Sequence, residues 1–202
     1  MTAQPPKRQR RAHVTRRTKE TQIDLSLNLD GAGQAEIDSP VGFLNHMLNL
    51  LARHAAVDLA VTAAGDTEVD LHHTVEDVGI CLGQALDEAL GDKAGIARFA
   101  SVAVPMDDSL AEVSLDLSGR PFLVYNATFP GERVGEFETE LVEEFLQALV
   151  NHARATLHVN VPYGANDHHI AEAIFKGLAR ALRAAVAPDP RADGIPSTKG
   201  VL

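Results

Sequence analysis

His72-His73-Thr74-Val75-Glu76 and His168-His169-Ile170-Ala171-Glu172 are two copies of one pattern, HHxxE, set 96 residues apart in a chain of 202. Their flanks align at the same offset, and eight of the nine histidines fall into two clusters around them (His46, His54, His72, His73; then His152, His158, His168, His169). A repeat of this length means two half-length units, each too small to bury a face alone. On a helix, residues i and i+4 lie about 40° apart around the axis and one turn apart along it, so His72 and Glu76 can hold one ion, as can His168 and Glu172. His73 and His169 point about 100° away and serve a different ion. A single HHxxE more often caps a helix or joins a polar network; two copies with further His or Glu upstream predict two metal sites. Imidazole and carboxylate donors without thiolate suit Mn, Fe or Zn rather than Ca.

Outward from the motifs, the periodicity alternates between strand and helix. Residues 21–29 place Ile23, Leu25, Leu27 and Leu29 on one face, a half-buried strand. Asp30-Gly31-Ala32-Gly33 is turn chemistry, and residues 34–37 are expected to return as the second arm of a hairpin. Residues 111–117, closed by Ser118-Gly119, repeat the strand. Helical stripes follow: Phe43, Met47, Leu50 and Leu51 in one half, Leu141, Phe145 and Leu149 in the other. Strands at 57–61 and 156–161 precede long helices at about 74–90 and 169–186, and the Pro- and Gly-rich tail 187–202 is a loop. The expected class is α+β, a two-layer sandwich of sheet and helices built twice. Its divisions are a flexible basic arm (1–12), a first half (13–92), a second half (93–187) and a C-terminal tail (188–202). His46 precedes His54 by eight residues and Glu144 precedes His152 by eight, so His46 and Glu144 occupy equivalent positions. His152 reads as a helix-end residue near the site that binds no ion, His54 is either such a residue or part of the site, and His13 and His158 carry no motif.

The net charge is −10, and seven of the 18 basic residues lie in the first 20, leaving 11 basic against 27 acidic side chains in residues 21–202. Such a body repels polyanions, so nucleic acid is not an expected partner. With 45 % hydrophobic and 23 % charged residues the chain suits a soluble core, and no apolar run reaches the length of a membrane span. One cysteine, Cys81, excludes an internal disulfide framework, and no secretory signal opens the sequence, so a cytoplasmic location is expected. Cations able to meet an anionic substrate are Arg98, Arg120, Lys176 and the Ser197-Thr198-Lys199-Gly200 segment, whose hydroxyl, N–H and ammonium donors suit phosphate.

Gly42-Phe-Leu-Asn-His-Met-Leu48, Gly65-Asp66, the paired HHxxE motifs, Ser118-Gly-Arg-Pro121 and Pro196-Ser-Thr-Lys-Gly200 together resemble the imidazoleglycerol-phosphate dehydratases of histidine biosynthesis, from about residue 13 to the end. The resemblance implies a duplicated fold of the ribosomal-protein-S5-domain-2 type, an octahedral homo-oligomer (24-mer), and two manganese ions (Mn2+) per subunit in sites built where subunits meet. It implies one ion held by His46, His73, His168 and Glu172, and the other by His72, Glu76, His169 and Glu144. The reaction implied is dehydration of D-erythro-imidazole glycerol phosphate to imidazole acetol phosphate, through a metal-stabilised imidazolate and a diazafulvene-type intermediate. Glu20 matches the family's proton-shuttling glutamate, although spacing alone would make it a solvated acid beside Lys19; Glu76 and Glu172 join it as catalytic residues. Arg98, Arg120, Ser197, Thr198, Lys199 and Gly200 match phosphate-binding positions, and Lys176, His46, His54, His72 and His168 further substrate contacts. The family's usual Pro and Asp are Gly42 and Asn45 here, which predicts a changed partner for His46. Glu144 stands where many relatives have histidine.

Two rival functions use the same residues. A dinuclear hydrolase also needs His and carboxylates, and releases phosphate instead of a keto product. A non-enzymatic RNA-binding protein would rely on the basic arm and show salt-sensitive binding lost with residues 1–12.

Overall fold

A computed structural model describes residues 9–192 and 194–202. The first half runs β1 (Arg11–Arg17), β2 (Thr21–Asn28), β3 (Ala35–Asp38), α1 (Gly42–Ala55), β4 (Asp58–Gly65) and α2 (His72–Leu90). The second repeats it with β5 (Phe99–Met106), β6 (Ser109–Asp116), β7 (Phe122–Asn126), α3 (Leu141–Ala153), β10 (Thr156–Tyr163) and α4 (Asp167–Ala185); a small ribbon, β8 (Arg133–Val134) with β9 (Phe137–Glu138), lies before α3. The sheets have the same order, β1-β2-β4-β3 and β5-β6-β10-β7, which is the expected duplication.

The expected hairpin at residues 34–37 does not form. β3 pairs parallel with β4, and the hairpin partner of β2 is β1. The cause is Asp58 at the start of β4. Its Oδ1 accepts the N–H groups of Ala32 (2.8 Å) and Gln34 (3.1 Å), while Asn28 Nδ2 donates to its Oδ2 at 3.0 Å. Those bonds carry the chain past the end of β4 to its far edge. Gly31 is required there, because a Cβ would lie 2.2 Å from the Asp58 nitrogen.

β1 also begins inside the stretch expected to be a flexible arm. Arg10 donates to Asp30 from Nη2 (2.5 Å) and to the Val186 carbonyl from Nη1 (2.5 Å), which anchors the chain before the strand starts. Residues 1–8 of that arm lie outside the described residues. β5 escaped the sequence reading because Phe-Ala-Ser-Val-Ala-Val-Pro-Met contrasts only weakly between its faces.

α2 packs on β1 and β2, α4 packs on β5 and β6, and the halves join through α1 against α4 and α2 against α3. Met47 and Leu51 of α1 and Phe145 of α3 are buried at this junction, whereas Phe43 and Leu50 stay half-buried at its edge. α1 and α3 end alike, with Ala56 (φ 57°) and Arg154 (φ 50°) in the left-handed region, a common helix stop. The α2–α3 approach depends on two glycines one turn apart. A Cβ at Gly83 would sit 2.5 Å from the Leu149 carbonyl oxygen, and one at Gly79 2.8 Å from that of Phe145. Backbone cannot yield as a flexible side chain would, so Gly83→Ala is expected to destabilise the fold by about 1–3 kcal/mol, read as a lower denaturation midpoint.

Candidate active site

The α1–α4 contact puts His46 of the first half against His168 and Glu172 of the second. Nε2 of His46 donates to Glu172 Oε1 at 2.8 Å, and Nε2 of His168 donates to the same oxygen at 3.0 Å. The three donor atoms lie within 4.8 Å of one another, the one such group found among the described residues. Two imidazole nitrogens and a carboxylate oxygen aimed at one point fit a borderline or hard divalent cation such as Mn2+. The Lys176 ammonium donates to Glu172 Oε2 and rests 3.2 Å from the Met106 sulfur. Burial works to raise the Glu172 pKa, but the hydrogen bonds from Lys176, His46 and His168 outweigh it and bring it down to about 2. The acid is therefore ionised and ready to bind a cation. Phe43 covers one side, its ring centroid 5.2 Å from that of His168. His54 belongs to the same surroundings: burial, then the charges of Lys176 and Arg180, push its pKa down.

The second histidine of each motif is turned elsewhere and tied by a carboxylate. Nδ1 of His73 lies 3.1 Å from Asp66 Oδ2, and Nδ1 of His169 lies 2.5 Å from Asp108 Oδ1. Each contact leaves Nε2 as the nitrogen able to meet a metal. The hydrogen bond to Asp66 raises the His73 pKa, and that to Asp108 raises the His169 pKa. Neither expected four-residue set is gathered within one chain: the first lacks His73, and His72, Glu76, His169 and Glu144 do not converge among the described residues. His72 and Glu76 are half-buried near the start of α2, and Glu144 lies in the first turn of α3.

Glu20 is exposed on the β1–β2 turn, with its main chain fixed on both sides. Its N–H donates to Thr18 Oγ1 (3.1 Å) and its carbonyl accepts the Asp66 N–H (3.1 Å). Beneath the turn, Thr21 Oγ1 donates to buried Asp77, which also accepts from Arg16 Nε at 2.8 Å. Glu20 takes part in no ion pair among the described residues, and its charge favours the His73 imidazolium.

Arg98 is more constrained than a free phosphate-binding cation. In the left-handed region (φ 71°), it donates to Asp116 from Nε (2.7 Å) and Nη2 (3.2 Å), and to the Pro196 carbonyl from Nη1 (2.7 Å). It thus draws the tail to this end of the second sheet, where Gly119 approaches Leu202 so closely that a Cβ would lie 2.5 Å from its carbonyl carbon. Ser197 closes a turn with Gly200 (3.0 Å), Lys199 donates its N–H to Ser197 Oγ (3.2 Å), and the side chains of Thr198, Lys199 and Arg120 are exposed.

Asn45, standing where the family usually has Asp, is bonded to Ser39. It accepts from Ser39 Oγ (2.6 Å) and donates to the Ser39 carbonyl (2.8 Å), bracing the start of α1. His152 donates from Nδ1 to the Ala148 carbonyl (2.9 Å), the helix-end role expected of it. Sequence reasoning assigned no role to Asp66 or Asp108. The signal for Asp108 was an Asp-Asp pair, turn chemistry just before the alternating strand at 111–117.

A family model described as imidazoleglycerol-phosphate dehydratase matches residues 39–182. Curated relatives named imidazoleglycerol-phosphate dehydratase include those of Xanthobacter autotrophicus and Azorhizobium caulinodans, each 60 % identical over 194 residues, 96 % of this chain and 98 % of the relative. Among solved structures, imidazoleglycerol-phosphate dehydratase from Staphylococcus aureus is similar at TM-score 0.81 and 42 % identity, over 89 % of this chain and 99 % of that one. The Pyrococcus furiosus enzyme in complex with (S)-C348 is similar at TM-score 0.81 and 38 % identity, over 94 % and 100 %.

Proposed function

Since the chain belongs to the imidazoleglycerol-phosphate dehydratase family, hydro-lyases of histidine biosynthesis, we propose that it dehydrates D-erythro-imidazole glycerol phosphate to imidazole acetol phosphate in the cytoplasm, with two manganese ions per chain. The observation that carries this is the convergence of His46, His168 and Glu172 on one point. His46, His168 and Glu172 would hold one such ion, and bound metal would supply the Lewis acidity that stabilises the anion of the substrate's imidazole ring.

The remaining work falls to side chains of this protein. Glu20, exposed on a braced turn, takes the carbon-bound proton lost in the dehydration and returns one to the product. Lys176 holds Glu172 in its ionised form. Arg98, oriented by Asp116, joins Arg120 and the donors of Ser197, Thr198, Lys199 and Gly200 on the phosphate.

His73, the fourth member of the first ligand set, sits on α2, tied to Asp66, and lies outside the His46–His168–Glu172 group of α1 and α4. That favours completion of each site by another copy of the chain in a homo-oligomer, an octahedral 24-mer in the full assembly, with the second set (His72, Glu76, His169, Glu144) shared in the same way.

Elemental analysis of active protein should find about two Mn per chain, with imidazole acetol phosphate as product and no phosphate released. One ion or none, or release of inorganic phosphate, would overturn the assignment; the latter points to the hydrolase. Chelation should shift the light-scattering mass to a smaller oligomer, and an unchanged mass after verified metal removal would mean that protein contacts alone hold the assembly.

A further inference from the structure

The two halves fasten their second histidine differently. β1 and β2 turn through Lys19-Glu20 between Thr18 and Thr21, and β5 and β6 turn through Asp107-Asp108 between Met106 and Ser109. The strand registers make the turns equivalent: Asn28 pairs with the first residue of β4, Asp58, and Asp116 pairs with the first residue of β10, Thr156. Counting back seven residues along each strand aligns Thr21 with Ser109, so Glu20 and Asp108 are the same position in the repeat. In the second half that position is committed. Asp108 Oδ1 holds His169, and its Oδ2 is locked by the N–H groups of Ala165 (2.7 Å) and Asn166 (3.0 Å).

In the first half Glu20 does not hold His73; Asp66 does. Asp66 comes from the connection between β4 and α2, which spans residues 66–71, whereas the connection between β10 and α4 spans only 164–166. The longer connection brings a carboxylate to His73 that has no counterpart in the other half. Its backbone N–H simultaneously fixes the Glu20 carbonyl at 3.1 Å, so one residue ties the histidine and braces the turn.

We propose that Asp66 is a positioning residue whose carboxylate substitutes for Glu20 as the partner of His73, leaving the Glu20 carboxylate free for proton transfer. This rests on the dehydratase reading above. Without the Asp66 carboxylate, Glu20 adopts the role its equivalent Asp108 already plays, and is drawn from substrate to imidazole.

The test is a double-substitution cycle read by Mn2+ affinity, measured by competition with a metal indicator on the intact assembly, alongside kcat. Asp66→Ala should weaken Mn2+ binding about ten-fold, the low end for losing a carboxylate behind a metal-bound histidine, and should lower kcat further by diverting Glu20. Glu20→Gln alone should leave Mn2+ affinity unchanged, but in the Asp66→Ala background it should weaken binding by roughly another ten-fold. Asp66→Glu should restore affinity, which a purely structural role of the loop would not predict. Should Asp66→Ala fail to fold, Asp66→Asn keeps the size and an oxygen acceptor while removing the charge, and takes its place in the cycle. Equal effects of Glu20→Gln in both backgrounds, or Mn2+ affinity insensitive to Asp66, would overturn the proposal and leave the dehydratase reading standing. A parent protein that binds no Mn2+ would overturn both.

Discussion

Glu172→Gln is expected to remove the proposed first metal site and nearly all turnover. Glu172 is 7 % exposed, and its carboxylate accepts from His46 and His168 on one oxygen and from Lys176 on the other. Glutamine keeps the shape, but one end becomes an NH2 that can only donate. Facing Lys176, that NH2 meets an ammonium with no acceptor; facing the imidazoles, it leaves no oxygen for a cation. Loss of a direct ligand exceeds the roughly 10–100-fold cost in metal affinity of losing an outer partner, so bound Mn should fall to about one per chain and kcat by more than ~10²-fold. Metal analysis and steady-state kinetics on one preparation test this. Full metal content with full activity would remove Glu172 from the site.

The metal-free protein adds a check with a definite sign. The Glu172 pKa falls from 4.5 free to about 2 in the fold, so its ionised form contributes stability above about pH 4.5 that is lost as pH falls toward 2. Metal-free Glu172→Gln should lose less stability than the parent across that window, as followed by denaturant midpoints.

Glu20→Gln is the second large effect, and it separates chemistry from assembly. Among the described residues the Glu20 side chain makes no hydrogen bond or ion pair to another element, while its backbone is held by Thr18 and Asp66 whatever the side chain is. The glutamine variant should therefore keep its fold, oligomeric mass and Mn content. Removing a positioned acid–base group should still lower kcat by roughly 10²–10⁴-fold, with a much smaller change in KM. Near-normal kcat would return Glu20 to a solvated acid beside Lys19 and require another proton carrier, with Glu76 first to examine.

The sequence by itself determined what depends on local spacing. Hydrophobic periodicity placed the two long helices to within about two residues and found the apolar stripes of the other two, and the HHxxE repeat disclosed the duplication, because i and i+4 must share a helix face wherever the helix lies. It also singled out His46, His168 and Glu172, which carry their chemistry in their side chains. Only the tertiary structure decided what depends on partners distant along the chain. β3 lies parallel to β4 because Asp58 captures the turn between β2 and β3, and no pattern within 34–37 carries that information. Arg98 is bound to Asp116 and the tail, Asn45 braces Ser39 and not His46, and the second histidines are held by Asp66 and Asp108. These contacts are a few side-chain hydrogen bonds at the ends of strands and helices, set by which of those ends the sheet order brings together. A sequence records the donors and acceptors; the fold selects which of them meet.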